Sequence, residues 1–134
     1  MTVVVGYVPD ATGFLAITEA VQQARFRQTD VVIVNVVDES GFVKPTAADE
    51  RDLDAVARRL TEDGVLFSVR HVNQDSRYAS DEILKAAQEV ETELIVVGLQ
   101  RRSPVGKALL GSNAQRILLG ATCPVLAVRA PEDV

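Results

Sequence analysis

The chain has 134 residues, enough for one core built from several layers of secondary structure. Apolar residues make up 47% and charged residues 25%, the balance of an ordinary globule. With 4% aromatics, no Trp and a formal net charge of −5, composition argues against a stacking platform for single strands, a general nucleic-acid binder and a binder of anionic membranes.

Thr2 to Tyr7, "TVVVGY", is a β-branched run that predicts a buried first strand. "ATGFLAITEAVQQARFR" follows, with Phe14, Ile17, Val21 and Ala24 at helical spacing. Asp30 marks a turn, and Val31 to Val37, "VVIVNVV", predicts a second buried strand. After the turn-rich "DESGFVKPT", the segment "AADERDLDAVARRLTEDG" predicts a helix with an inner stripe of Leu53, Val56, Ala57 and Leu60. Gly64 suits the end of that helix. Val65 to Val72 predicts a third strand, more polar than the others. "ASDEILKAAQEV" predicts a third helix, with Ile83, Leu84 and Ala87 inward and Ser80 as N-cap ahead of Asp81 and Glu82. Thr92 to Gly98 predicts the fourth strand, Ser112 to Leu119 a last helix and Pro124 to Arg129 a final strand. No repeat, low-complexity segment or linker interrupts residues 1–134, which read as a single domain.

Strand and helix alternate throughout. That pattern predicts an α/β fold, a mostly parallel sheet covered by helices on both faces with right-handed crossovers. In such sheets small ligands bind beyond the carboxyl ends of the strands, where the strand order reverses. The segments 8–13, 38–46 and 99–110 all leave that edge.

One of them is unusual. From Leu94 to Pro131 there is no Asp or Glu, while Arg101, Arg102, Lys107, Arg116 and Arg129 supply five cations in an acidic chain. A strand ending at Gly98, followed by a helix opening at Gly111-Ser112, predicts an anion site: glycine admits close approach, and free amides at a helix start point outward. Gly111, Ser112 and Asn113 can supply such amides, with Arg101, Arg102 and Lys107 neutralising charge. Two familiar phosphate motifs fail. Gly106-Lys107 resembles the end of a P-loop, but Arg101 stands where the earlier glycine belongs and Ala108 replaces Ser/Thr. No G-x-G-x-x-G follows any strand.

Other chemistry is thinly represented. Cys123 is the sole cysteine, so no intrachain disulfide forms; its apolar neighbours predict a small buried hydrophobe. His71 is the sole histidine and lies in a predicted strand, where a structural or surface role is expected. Asp38 and Glu39 sit where a Mg²⁺ ion accompanying a nucleotide could approach, whereas Asp49, Glu50, Asp52 and Asp54 suit a solvated first helical turn. No protein-ligated metal and no catalytic residue are expected. With no positively charged leader and no run of membrane-spanning length, the expected compartment is the cytoplasm.

Over essentially its full length the chain resembles the universal stress protein family. The resemblance rests on "VVIVNVVDE" at the second strand, "ETELIVVG" at the fourth and above all "LLGSNAQRIL…CPVLAVR" at the end. It implies an adenine nucleotide alpha hydrolase-like fold with a five-stranded parallel sheet in the order 3-2-1-4-5. Nucleotide-binding members carry glycine, two residues, glycine, nine residues, then glycine and Ser/Thr. Gly98, Gly111 and Ser112 match that spacing, and Arg101 occupies the second glycine position. By the same resemblance ATP lies over the first and fourth strands, its adenine met by backbone at Val36. Its phosphates are met by Gly98, Arg101, Gly111, Ser112 and Asn113. Members that bind ATP usually place an aspartate where Val8 stands, and Arg101 either fills the phosphate space or supplies charge to it.

The expected function is therefore a cytoplasmic stress-response binding or regulatory protein for an adenine nucleotide, ATP foremost, without turnover. The order 3-2-1-4-5 would leave the apolar "PVLAV" on a sheet edge, which predicts a homodimer through the last strand. The alternative is a dimeric interaction module of the same family that binds no nucleotide.

Overall fold

Five strands pair side by side in the computed structural model, which describes residues 1–7, 11–37, 47–73, 78–99 and 112–129. In chain order the elements are β1 (Thr2–Tyr7), α1 (Ala11–Arg27), β2 (Asp30–Val37), α2 (Ala47–Glu62), β3 (Phe67–Asn73), α3 (Ala79–Glu89), β4 (Thr92–Leu99), α4 (Ser112–Gly120) and β5 (Val125–Arg129). All neighbouring strands are parallel, and their order is β3-β2-β1-β4-β5, as expected. β1 lies at the centre, with β2 on one side and β4 on the other. The strand order reverses between those two neighbours.

Alternation along the strands divides the core into two layers. Val3, Val5 and Tyr7 face α1 and α2 together with Val31, Ile33 and Val96. Val4, Val32, Val34, Ile95 and Val97 face the other way and pack with Ala86 and Ala87 of α3 and Ile117 of α4. A strand buried on both faces needs apolar side chains at odd and even positions alike, hence continuous runs such as "TVVV". On α1, Ala16, Ala20 and Ala24 recur every fourth residue and are fully buried, so small side chains set the helix close against the sheet. Phe14, expected on that inner stripe, is instead 36% exposed and meets the Tyr7 ring edge-on at a centroid distance of 6.1 Å.

Two expectations about element ends are corrected. The third strand begins at Phe67, not Val65. Gly64 closes α2 with φ +73°, its amide donating to Thr61 O at 3.1 Å while the Val65 amide donates to Leu60 O at 3.0 Å. Val65 is therefore the residue that caps the helix, buried against Leu60, and pairing starts after it. Ser80, read as the N-cap of α3, is its second residue. The cap position falls on Tyr78, whose side chain makes no capping bond.

The substitute comes from far along the chain. Asn113, in the first turn of α4, presents Oδ1 to the Ser80 amide at 3.1 Å. Beside it Arg116 lies over the Tyr78 ring at 4.1 Å and donates to Asp81 Oδ1 at 3.0 Å. The first turns of α3 and α4 are thus locked together at the carboxyl edge of the sheet.

Candidate functional site

At the carboxyl ends of β1, β2 and β4 the first turns of α3 and α4 enclose a cavity of about 140 Å³. Its strand side is Gly6, Tyr7, Val36, Val97 and Gly98. Its helix side is Ala79, Ser80 and Ile83 from α3 with Asn113, Ala114 and Ile117 from α4. The cavity therefore straddles the central strand where the strand order reverses, the place at which open α/β sheets receive ligands.

Local sequence sets how closely α3 approaches the sheet. Gly6 has no side chain, and an added Cβ would stand 2.7 Å from Ile83 Cδ1, so any larger residue there would make the end of Ile83 shift. Gly98, the next-to-last residue of β4, lines the opposite side. Between them the lining is mostly aliphatic, with Tyr7, Ser80 and Asn113 as its polar side chains among the described residues. No His, Asp, Glu, Lys or Cys stands among these lining residues.

Three of the six residues expected to meet a nucleotide, Val36, Gly98 and Asn113, come together on this one cavity. Ser112 opens α4 immediately before Asn113, so its backbone lies at the same helix start. Arg101 and Gly111 lie outside the described residues, as do Val8, Asp38 and Glu39. The Asn113 carboxamide oxygen already accepts the Ser80 amide. Arg116, one of the five cations of the acid-free stretch, is engaged with Asp81 and Tyr78. Gly6, Ser80 and Ile83 were not anticipated as site residues. The glycine interrupting "TVVV" before Tyr7 was the one available signal, since an isolated glycine in a strand marks a close approach.

His71 is exposed on β3 and is not among the lining residues, with Nδ1 3.2 Å from Asn35 Nδ2 across the β2–β3 pair. Cys123 is half-buried against the α3–α4 layer, and burial pushes its thiol up from the ordinary value. Among the described residues no group of three or more His, Cys, Asp or Glu could hold a metal, and no helix is long and apolar enough to cross a membrane.

The family model for universal stress proteins matches residues 1–129. The chain belongs to that family. A universal stress protein of Mycolicibacterium smegmatis is 38% identical over 128 residues, 95% of this chain and 96% of the relative. Among solved structures, the universal stress protein of Archaeoglobus fulgidus superposes with a TM-score of 0.78 at 26% identity, covering 95% of this chain and 97% of its own. A structure described as the universal stress protein from Archaeoglobus fulgidus in complex with dAMP has the same fold, with a TM-score of 0.72, 22% identity and coverage of 95% and 96%. The β3-β2-β1-β4-β5 sheet of this universal stress protein is that of the adenine nucleotide alpha hydrolase-like fold.

Proposed function

We propose that this universal stress protein binds an adenine nucleotide, ATP foremost, in the crevice over β1 and β4 and acts as a regulatory binding protein without turnover. The observation that carries the reading is the meeting of Val36, Gly98 and Asn113 on one cavity at the reversal of strand order. Three residues separated along the chain share a hollow that Gly6 also lines. The dAMP complex of a family member with the same fold supports the ligand class.

In this reading the base enters the aliphatic part of the cavity and is met by Val36 backbone. The phosphates lie outward, where Gly98, Gly111, Ser112 and Asn113 supply amides and Arg101 supplies charge. Helix α4 opens at that point, where the helix dipole favours an anion. Mg²⁺ would accompany the nucleotide and be held by its phosphates. The described lining residues, which include no carboxylate or imidazole, suit holding a nucleotide.

The protein would work in the cytoplasm as a homodimer paired through β5. That strand is an edge of the sheet, with Leu126 and Val128 packed inward and Ala127 exposed.

Isothermal titration of nucleotide-stripped protein with ATP, AMP and cyclic AMP, each with and without Mg²⁺, tests the reading. Saturation at about one hundred times the dissociation constant adds about 2.7 kcal/mol of stability, so a thermal-shift screen should respond. Heat on binding is expected with at least one of them. Silence with all three would leave the dimeric module that binds no nucleotide, whose mass would still appear in light scattering.

A further inference from the structure

We infer that the Ser80 hydroxyl is a specificity group for the heteroaromatic base of the bound nucleotide, a proposal that rests on the nucleotide reading above. Ser80 is fully buried, and its Oγ has no hydrogen-bond partner in the described structure. Buried hydroxyls are ordinarily paired, because water satisfies them in the unfolded chain and nothing replaces it when they are left bare. Ser80 lines the cavity at the start of α3, where its own amide is already fixed by Asn113 Oδ1. The residue cannot drift to find a partner elsewhere. Only its χ1 is free, and one rotamer step carries Oγ from one staggered well to another.

The surroundings decide which part of a nucleotide it meets. Ile83, Val97, Ala114 and Ile117 make the inner walls aliphatic, a lining that would leave a phosphate without its charge partners. A flat base suits them, with apolar faces against the walls and a polar edge toward one hydroxyl. A serine hydroxyl both donates and accepts, so it can serve a ring nitrogen or an exocyclic amine. Ile83, held over Gly6, limits how deep the ring can go.

This role has a signature that a structural hydroxyl lacks, since removing it should help the empty protein and harm the complex. Unliganded Ser80→Ala is expected to melt about 2–4 °C higher, because a bare polar group leaves the interior. Adenosine and AMP are both expected to bind Ser80→Ala about 3–10-fold more weakly, by the same factor, as the loss of one neutral hydrogen bond to a part they share. The experiment is titration calorimetry of unaltered and Ser80→Ala protein with both ligands, alongside melting curves of the two without ligand. A lower melting temperature in the variant overturns the proposal by showing that the hydroxyl has a structural partner. Unchanged affinities overturn it while leaving the nucleotide reading intact, and a loss confined to AMP places the hydroxyl on phosphate and overturns its assignment to the base. If the unaltered protein binds neither these ligands nor ATP, the nucleotide reading falls first and this proposal with it; if ATP alone binds, an unchanged ATP affinity in Ser80→Ala overturns the proposal.

Discussion

Gln28 holds at the end of α1 the left-handed conformation that Gly64 holds at the end of α2. Their φ angles are +56° and +73°, and the bonding around them is the same. The Gln28 amide donates to Arg25 O at 3.3 Å and the Thr29 amide to Ala24 O at 2.9 Å, matching Gly64 to Thr61 and Val65 to Leu60. A side chain in this conformation costs about 1–2 kcal/mol that glycine does not. Gln28 is exposed, so its side chain has little packing to lose. Gln28→Gly should therefore stabilise the protein, by about 1 kcal/mol after the added flexibility of the unfolded chain is set against it. Gly64→Ala should destabilise by a similar amount. Urea unfolding of both variants checks the pair of signs.

That correspondence also shows what could be read in advance. The buried parallel strands were legible because a strand covered on both faces must be apolar at every position, and "TVVV" and "VVIV" have no other reading as plain. Gly64 was legible as a helix end because glycine is the usual residue there. Gln28 was not, since nothing in a glutamine announces a positive φ. Val65 misled in the other direction: an apolar residue before a strand reads as part of it, although here it seals the end of α2 against Leu60. Ser80 misled for a deeper reason. Its neighbours spell an N-cap, but Asn113, 33 positions on, caps the helix instead, and local spacing carries no record of so distant a partner. At the cavity, the glycine spacing and the family resemblance pointed to Gly98, Val36 and Asn113, which the fold does assemble. The α3 wall could not be foreseen, because Ile83 and Ser80 reach the crevice only through the way α3 packs on β1 and α4.

The α3–α4 lock should be uneven in strength. Asn113→Ala leaves the Ser80 amide without its acceptor at a buried position and should cost about 1–2 kcal/mol. Arg116→Ala removes a half-exposed ion pair and a ring contact, which solvent screens, so a cost below about 1 kcal/mol is expected. Chemical denaturation of the two variants ranks them. A larger loss in the arginine variant would show that charge, and not the distant cap, holds the two helix starts together.

Burial of Cys123 raises its thiol above the ordinary value, chiefly through desolvation of the thiolate, with backbone hydrogen bonds from Ile95 and Cys123 opposing. The unfolded thiol ionises at a lower pH than the folded one. Folded protein thus holds its proton where unfolded protein has released it, and the associated stability is whole below the unfolded thiol's ordinary value and declines as pH climbs past it. Cys123→Ala should flatten that alkaline decline. Reaction with a disulfide reagent should also be slower for native than for denatured protein at any pH near 8, because less thiolate is present and access is reduced. Equal rates would show the thiol to be solvated.

Arg101 stands where nucleotide-binding relatives are expected to have glycine, and the proposal gives it the phosphates as partner. Removing a charge-assisted hydrogen bond forfeits about 1.5–3 kcal/mol, so Arg101→Gly should bind ATP about tenfold to a hundredfold more weakly. Adenosine, lacking phosphate, should be unaffected. The salt dependence of ATP affinity should also diminish, since one cation facing the phosphates has gone. Gly111→Val supplies the complementary case: bulk at the helix start crowds the phosphates and should abolish ATP binding while sparing adenosine. Tighter ATP binding in Arg101→Gly would show that the guanidinium occupies the phosphate space, and the charge in this loop would then have to come from Arg102 or Lys107.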